Sequence, residues 1–283
     1  MFSPVDTKDP TAVQLEVQAA YLRMFPRGDK FFIPRAFGWA IDYFTGNHHD
    51  YQAIDALYHD FEHTLQGALC MVRLLEGRHW ARGKPVVSRR MFELGVLAIL
   101  LHDTGYLKKR DDKVGTGAKY TLTHVTRSAE FAEELLSEKG YGRKDIHAVQ
   151  HMIRCTGVNM DLRSIPFQTR LETIIGYALG TADLLGQMAA KDYPDKLPIL
   201  YSEFVEAAEF SEGRMPPGGG FASAEALMRD TPVFWEKYVR VKIERDFCGL
   251  YKFLADPYPD GPNDYILRVE ANIARVRRKT SHK

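Results

Sequence analysis

Neither sign of charge dominates this chain: 38 Lys and Arg stand against 37 Asp and Glu over 283 residues. Without a basic excess there is no electrostatic reason to expect a nucleic acid or an anionic membrane surface as partner. Long apolar runs are missing too. The longest, Leu94 to Leu101, is eight residues, where about 20 are needed to span a bilayer. The opening MFSPVDTKDPTAVQLEV carries acidic residues and prolines where a secretory leader would have an apolar stretch. A cytoplasmic location is therefore expected. Cysteine is scarce: Cys70, Cys155 and Cys248 stand far apart with no CxxC pair. That usage fits structural thiols in a reducing compartment rather than a disulfide framework or a zinc ribbon. Strand-like alternation is also rare, which argues against a sheet protein.

What remains is helical periodicity on an ordinary globular composition, 45% hydrophobic and 27% charged. A first amphipathic helix is expected from about Thr11 to Met24, followed by a mixed stretch broken by Pro26, Pro34, Gly38 and Gly46. A clear helix is expected from about Tyr51 to Glu76, with Gly77 as its stop. Ser88 should cap a helix that is apolar nearly all round and ends on His102 and Asp103. Thr123 should cap a helix from His124 to about Lys139. Further helices are expected from Lys144 to about Cys155, from Pro166 to about Lys191, near Leu200–Phe210 and over Ala222–Arg229. Thr231 and Pro232 read as the N-cap and N1 of a last long helix reaching about Ala255. The fold class expected is all-α: an N-terminal helical extension over 1–49, a metal-binding helical domain over 50–193, and a C-terminal extension over 194–283 packed on it.

The chemistry-bearing residues lie in the middle segment. His59 and His63 are four apart on the expected helix, so both rings would project from one face. Alone, such a pair is as easily structural. His102-Asp103 is more informative, because an apolar run delivers an imidazole and a carboxylate side by side into the interior. A buried ionised carboxylate costs several kcal/mol unless it is paired or bound to a metal. Asp183 repeats the argument among Ile174, Ile175, Ala178, Leu179, Ala182, Leu184 and Leu185. A salt bridge to Arg154 or Arg170 would be the plain alternative, and Gly176 and Gly180 would let another helix approach closely. His124 and His151 complete the set, with His147 on the same face as His151 and able to replace it.

The order His63, His102-Asp103, His124, His151, Asp183 puts each candidate ligand on or beside a separate expected helix. Imidazoles with carboxylates suit Fe, Mn, Zn or Co. Neutral histidines and two aspartates offer a formal charge of about −2, so two divalent ions would leave about +2, suited to an anionic phosphoester.

These residues resemble a known family. Tyr58-His59-Asp60-Phe61-Glu62-His63-Thr64 with Leu101-His102-Asp103-Thr104-Gly105 is similar to the HD-domain superfamily of metal-dependent phosphohydrolases. The first part resembles the YHN…H signature of cyclic-nucleotide phosphodiesterases, with Asp60 in place of the asparagine. The resemblance implies an HD-type helical bundle over about residues 50 to 190. It implies a primary metal site of His63, His102, Asp103 and Asp183, and a proton from His59 for the leaving oxygen. His124 and His151 resemble the second-metal residues of HD-GYP phosphodiesterases. That group has a lysine where Tyr106 stands here, and no GYP follows His151, so a cyclic dinucleotide substrate is not implied. The implied activity is that of a phosphodiesterase or phosphomonoesterase acting on a nucleotide or other small phosphoester. One or two divalent ions (Fe, Mn, Zn, Co or Mg) would supply the attacking hydroxide, with Asp103 and His59 in catalytic roles. The same ligand order also resembles the di-iron oxygenases of the superfamily, and a non-catalytic nucleotide-sensing module is a third reading. The expected partner is the small-molecule phosphoester. A homodimer is left open. Lys108, Lys109 and Arg110 read as a solvated loop run rather than as phosphate contacts.

Overall fold

The computed structural model describes residues 4–158 and 160–281. The architecture is all-α, with ten α-helices and several short 3-10 or π turns among the described residues. The only β pairings among these residues are the isolated bridges Tyr51–Lys109 and Ala255–Asn263. No described helix is long and apolar enough to cross a membrane.

The helices are α1 (Pro10–Met24), α2 (Phe32–Phe44), α3 (Phe61–Trp80), α4 (Arg89–Leu101), α5 (His124–Glu138), α6 (Arg143–Arg154), α7 (Arg170–Met188), α8 (Tyr193–Glu209), α9 (Ala224–Phe234) and α10 (Asp264–Ser281). The centre is α4, buried from Phe92 to Leu101. Its start is set by Ser88, whose hydroxyl accepts the Met91 N–H at 3.2 Å. Around it α3 and α7 cross at close range, because the contact is made of backbone rather than side chains. A Cβ on Gly186 would stand 2.9 Å from the backbone of Gln66 and Gly67. This crossing brings α3 and α7 together one turn from His63 and Asp183. Gly176 and Gly180, expected to admit a neighbouring helix, lie against Cys155 at the end of α6 and against Phe167 and Phe247.

Several expectations are corrected. Residues 52–60 are not helical, and α3 begins only at Phe61. The cause is Asp60, whose carboxylate accepts the His63 N–H at 2.8 Å and caps the helix. His59 therefore precedes α3 instead of sharing a helical face with His63. At the other end α3 runs through Gly77 to Trp80, because that glycine serves close packing: its Cβ would lie 2.0 Å from the Phe253 carbonyl oxygen. The stretch read as broken after Met24 contains α2, with Pro34 in its first turn, where no N–H is needed.

Thr231 and Pro232 do not start a helix. They lie inside α9, which Ser223 caps and which continues through π turns at Trp235–Val239 and Lys242–Asp246. The Thr231 hydroxyl bonds back to the Leu227 carbonyl at 2.9 Å, the habit of a mid-helix threonine rather than of a cap. Helix α8 begins at Tyr193, before the residues expected, with Pro194 in its first turn. Helix α10, which packs on α7, α8 and α9, lay inside the C-terminal segment without having been singled out.

Candidate metal centre

Four helices and one turn deliver the centre. His63 lies in the first turn of α3, His102 caps the C-terminus of α4, Asp103 opens the following 3-10 turn, His124 starts α5, and Asp183 sits in α7. His63 Nε2 stands 3.2 Å from Asp103 Oδ2 and 3.1 Å from Asp183 Oδ1. His102 Nε2 stands 3.3 and 3.4 Å from the same two oxygens. Asp183 thus faces two imidazoles rather than Arg154 or Arg170.

His102 Nε2, Asp103 Oδ2 and Asp183 Oδ1 are buried and make no hydrogen bond. Buried polar atoms are almost always satisfied, so three such atoms converging on one point call for a ligand of their own. A divalent ion about 2.0–2.2 Å from N and O donors puts neighbouring donors roughly 3.0–3.5 Å apart. The observed spacings fall in that range. The tautomer is also correct: His102 Nδ1 donates to the Ile99 carbonyl at 2.8 Å, leaving Nε2 its lone pair.

The electrostatics agree. Burial would raise the Asp103 and Asp183 pKa values, but His102 and His63 more than offset it and hold both carboxyls far below their ordinary range. Burial works against a proton on His63, yet Asp103 and Asp183 outweigh it and raise its pKa to about 10. The pair of carboxylates demands positive charge. A divalent cation held here would take over the protons' part and leave both imidazoles neutral, the form that ligates.

Asp103 faces a second way. Its Oδ1 lies 3.9 Å from His124 Nε2, and His124 Nδ1 donates to the Thr121 carbonyl at 2.7 Å. Burial lowers the His124 pKa, despite Asp103, so this imidazole stays neutral. His151 lies on α6 outside the His63–His102–Asp103 group. Its Nδ1 bonds Glu172 Oε1 at 2.7 Å. With Nδ1 donating to that carboxylate, the Nε2 lone pair is left free, the carboxylate–histidine arrangement common behind metal ligands. His147 lies beside it, 6.3 Å between ring centroids.

His59 is at the accessible edge, its side chain 16% exposed against 4% for His63. Its Nδ1 lies 2.6 Å from Glu203 Oε2, while Glu203 Oε1 accepts the Tyr58 N–H at 2.7 Å. Burial would raise the Glu203 pKa, but the charge and hydrogen bond of His59 and the backbone donors outweigh it, so the carboxylate stays ionised. Glu203, Glu172 and Tyr106 were not identified from sequence. Glu203 arrives from α8 with no local signal. Glu172 stands three after Thr169 in a T-x-x-E pattern that reads as a helix cap, and Thr169 does cap α7, which masks the second task of its partner.

The basic run after Asp103 is otherwise engaged. Lys108 is buried and paired with Asp55 at 2.9 Å, a correction to its reading as solvated. Lys109 lies over the Tyr51 ring, and Arg110 donates to the carbonyls of Gly46, His48 and His49. A second possible ligand group, His48, His49 and Asp50, is mostly exposed. There His48 Nδ1 already accepts the Asp50 N–H, and the Arg110 guanidinium opposes a cation.

The turn holding Asp103 is locked to α5. The Gly105 N–H donates to Ser128 Oγ, and Arg127 donates to the Gly105 carbonyl. A Cβ on Gly105 would lie 2.0 Å from the His124 carbonyl oxygen. Gly105→Ala must therefore push the start of α5 away and carry His124 with it. Urea unfolding is expected to show a loss of about 1–3 kcal/mol, the range for overpacking.

A family model described as Npun_R2479-like matches residues 16–117, from within α1 past the His102-Asp103 turn. No curated protein matches the chain. Among solved structures, the chain is similar to the phosphodiesterase domain of the RhoPDE fusion protein from the choanoflagellate Salpingoeca rosetta. The TM-score is 0.59 at 15% identity, covering 99% of this chain and 93% of that one. The two share a fold.

Proposed function

We propose that this chain is a metal-dependent phosphohydrolase, a phosphodiesterase or phosphomonoesterase acting on a nucleotide or other small phosphoester. The observation that carries the reading is the convergence of His63, His102, Asp103 and Asp183 donor atoms, three of them without a hydrogen-bond partner, beside the His59–Glu203 pair. The phosphodiesterase fold of the similar structure supports it. Divalent ions held by His63, His102, Asp103 and Asp183 would supply Lewis-acid polarisation of a phosphoryl oxygen and a water nucleophilic near neutral pH.

The chain's own residues have separate tasks. Asp103 holds charge on both sides of the centre. Glu203 accepts from His59 Nδ1 and keeps that ring oriented. A proton on His59 Nε2 is then the one delivered to the departing oxygen. His59 and His124 are more exposed than His63 and His102, so substrate enters on their side. The 50–193 segment supplies the ligands, and the 194–283 segment contributes Glu203, so that extension belongs to the catalytic unit.

The two oxygens of Asp103 favour a pair of ions, the second held by His124 and His151. Elemental analysis should then find close to two ions per wild-type chain and close to one after joint replacement of His124 and His151 by Ala. A wild-type content that stops at one, unmoved by the replacements, reduces both histidines to structural roles. The activity itself is tested by purifying the protein with and without air and screening phosphoesters with Mn, Mg, Fe and Co. Phosphoester cleavage without oxygen uptake is expected. Oxygen-dependent turnover with no phosphate chemistry would overturn the hydrolase reading in favour of a di-iron oxygenase, and ligand binding without turnover would favour a sensing module.

A further inference from the structure

Tyr106 is three residues beyond Asp103, held in the same turn by its N–H donating to the Asp103 carbonyl at 3.1 Å, and is 1% exposed. Its ring lies 4.4 Å from His59 at an interplanar angle of 12°, and 4.6 Å from His124 at 21°. The two imidazole centroids are 6.2 Å apart. Both imidazoles thus lie against the Tyr106 ring in nearly parallel planes. Its hydroxyl, near Thr121, is buried and makes no hydrogen bond of normal geometry. What this residue offers the site is a flat surface.

Each of the two histidines is hydrogen-bonded at a single ring atom, His59 by Glu203 and His124 by the Thr121 carbonyl, and the other ring neighbours of His59, Tyr58 and His63, meet it edge-on. His59 also lacks a helical backbone to aim it. A ring held at one edge can rock about that bond, and a parallel aromatic face removes the freedom, since offset stacking is a preferred arrangement.

We propose that Tyr106 is a positioning residue whose ring face sets the planes of His59 and His124 together, aligning the proton donor with a ligand of the second ion. The inference rests on the proposed function for what that alignment achieves, though not for its existence. The ring face is the working part, so phenylalanine serves as well as tyrosine and an aliphatic side chain does not.

The test begins with the wild-type protein. Imidazole proton resonances of His59 and His124, assigned by their loss in single His→Ala variants, should be displaced upfield by the ring current of Tyr106. Tyr106→Phe should keep that displacement and Tyr106→Leu should remove it. In a Co²⁺ titration, Tyr106→Leu should leave the first ion bound as in wild type and weaken the second about 10-fold, the lower end for a residue that orients a ligand. Turnover of alkyl phosphoesters should fall about 10–10²-fold in the Leu variant, less than loss of a general acid itself. p-Nitrophenyl esters should be little affected, and Tyr106→Phe should match wild type on both. Undisplaced resonances in the wild type, or a Phe variant as impaired as the Leu variant, would overturn the proposal. So would equal losses on both substrate classes. Should Tyr106→Leu fail to fold, the wild-type and Phe spectra still decide. Should the wild type cleave no phosphoester, the proposed function fails, while the resonances and the titration still judge Tyr106.

Discussion

Asp103→Ala should strip the protein of bound metal and of activity in one step. Asp103 is 2% exposed, and its two oxygens face different partners: Oδ2 toward His63 and His102, Oδ1 toward His124. No other carboxylate in the group has that position. Without it, a primary site would retain two imidazoles and Asp183, and a second site would lose its only aspartate. Lewis-acid assistance is worth several kcal/mol, so the loss of turnover should be about 10³-fold or more. Asp103→Asn separates charge from shape, because the amide fills the same space but cannot neutralise a cation. It should behave like the Ala variant in metal content. Thermal melting supplies an independent check. An ion that binds only the folded chain stabilises it by about 2.7 kcal/mol at a hundred times its dissociation constant, so chelation should lower the melting temperature of the wild type and leave that of Asp103→Asn nearly unchanged. A variant that keeps full metal occupancy by elemental analysis would sink the assignment of Asp103 as a ligand.

Which of these features the amino-acid sequence discloses depends on how local their cause is. Helix α4 was legible because Ser88 and the apolar stretch up to Leu101 act within one element, and burial on all sides leaves an unmistakable pattern. The burial of His102 and Asp103 followed from it. The start of α3 was misread because Asp60 looks like one more polar residue in a helical register, whereas its carboxylate satisfies the His63 N–H and stops the helix there. Thr231-Pro232 misled for the opposite reason. The pair has the chemistry of a helix start, yet packing runs α9 through it and the threonine turns its hydroxyl back to Leu227. The close crossing of α3 and α7 hangs on Gly67 and Gly186, residues with no side chain to announce a contact.

The site divides along the same line. His63, His102, Asp103 and Asp183, picked out by their order and apolar surroundings, are brought within 3.4 Å of one another through the His–Asp contacts. Residues that act on those side chains from a distance in sequence could not be found that way. Glu203 lies 144 positions from His59, in a helix that carries other glutamates on the same pattern. Tyr106 is only three residues beyond Asp103 in sequence, but its use is a ring face presented to two histidines, and neither spacing nor hydropathy encodes the direction of a ring.

His59→Ala should split two classes of substrate. His59 stands in the irregular segment before α3, its Nδ1 against the ionised Glu203, its ring centroid 5.5 Å from that of His63. No ion-pair or ligand-distance contact joins it to Asp103 or Asp183, so its removal should leave the metal content intact. A proton donor matters in proportion to the basicity of the group that leaves. An alkoxide must be protonated as the bond to phosphorus breaks, and losing the donor costs about 10²–10⁴ in rate. p-Nitrophenolate is stable as an anion and needs little help. Alkyl phosphoesters should therefore lose about two to four orders of magnitude in kcat, and p-nitrophenyl esters about tenfold or less. Glu203→Gln should follow the same division with smaller losses, because the amide oxygen can still accept from Nδ1 but carries no charge to hold the ring as firmly. Equal losses on both substrate types, or metal lost with the imidazole, would make His59 a ligand or a positioning group instead of the donor.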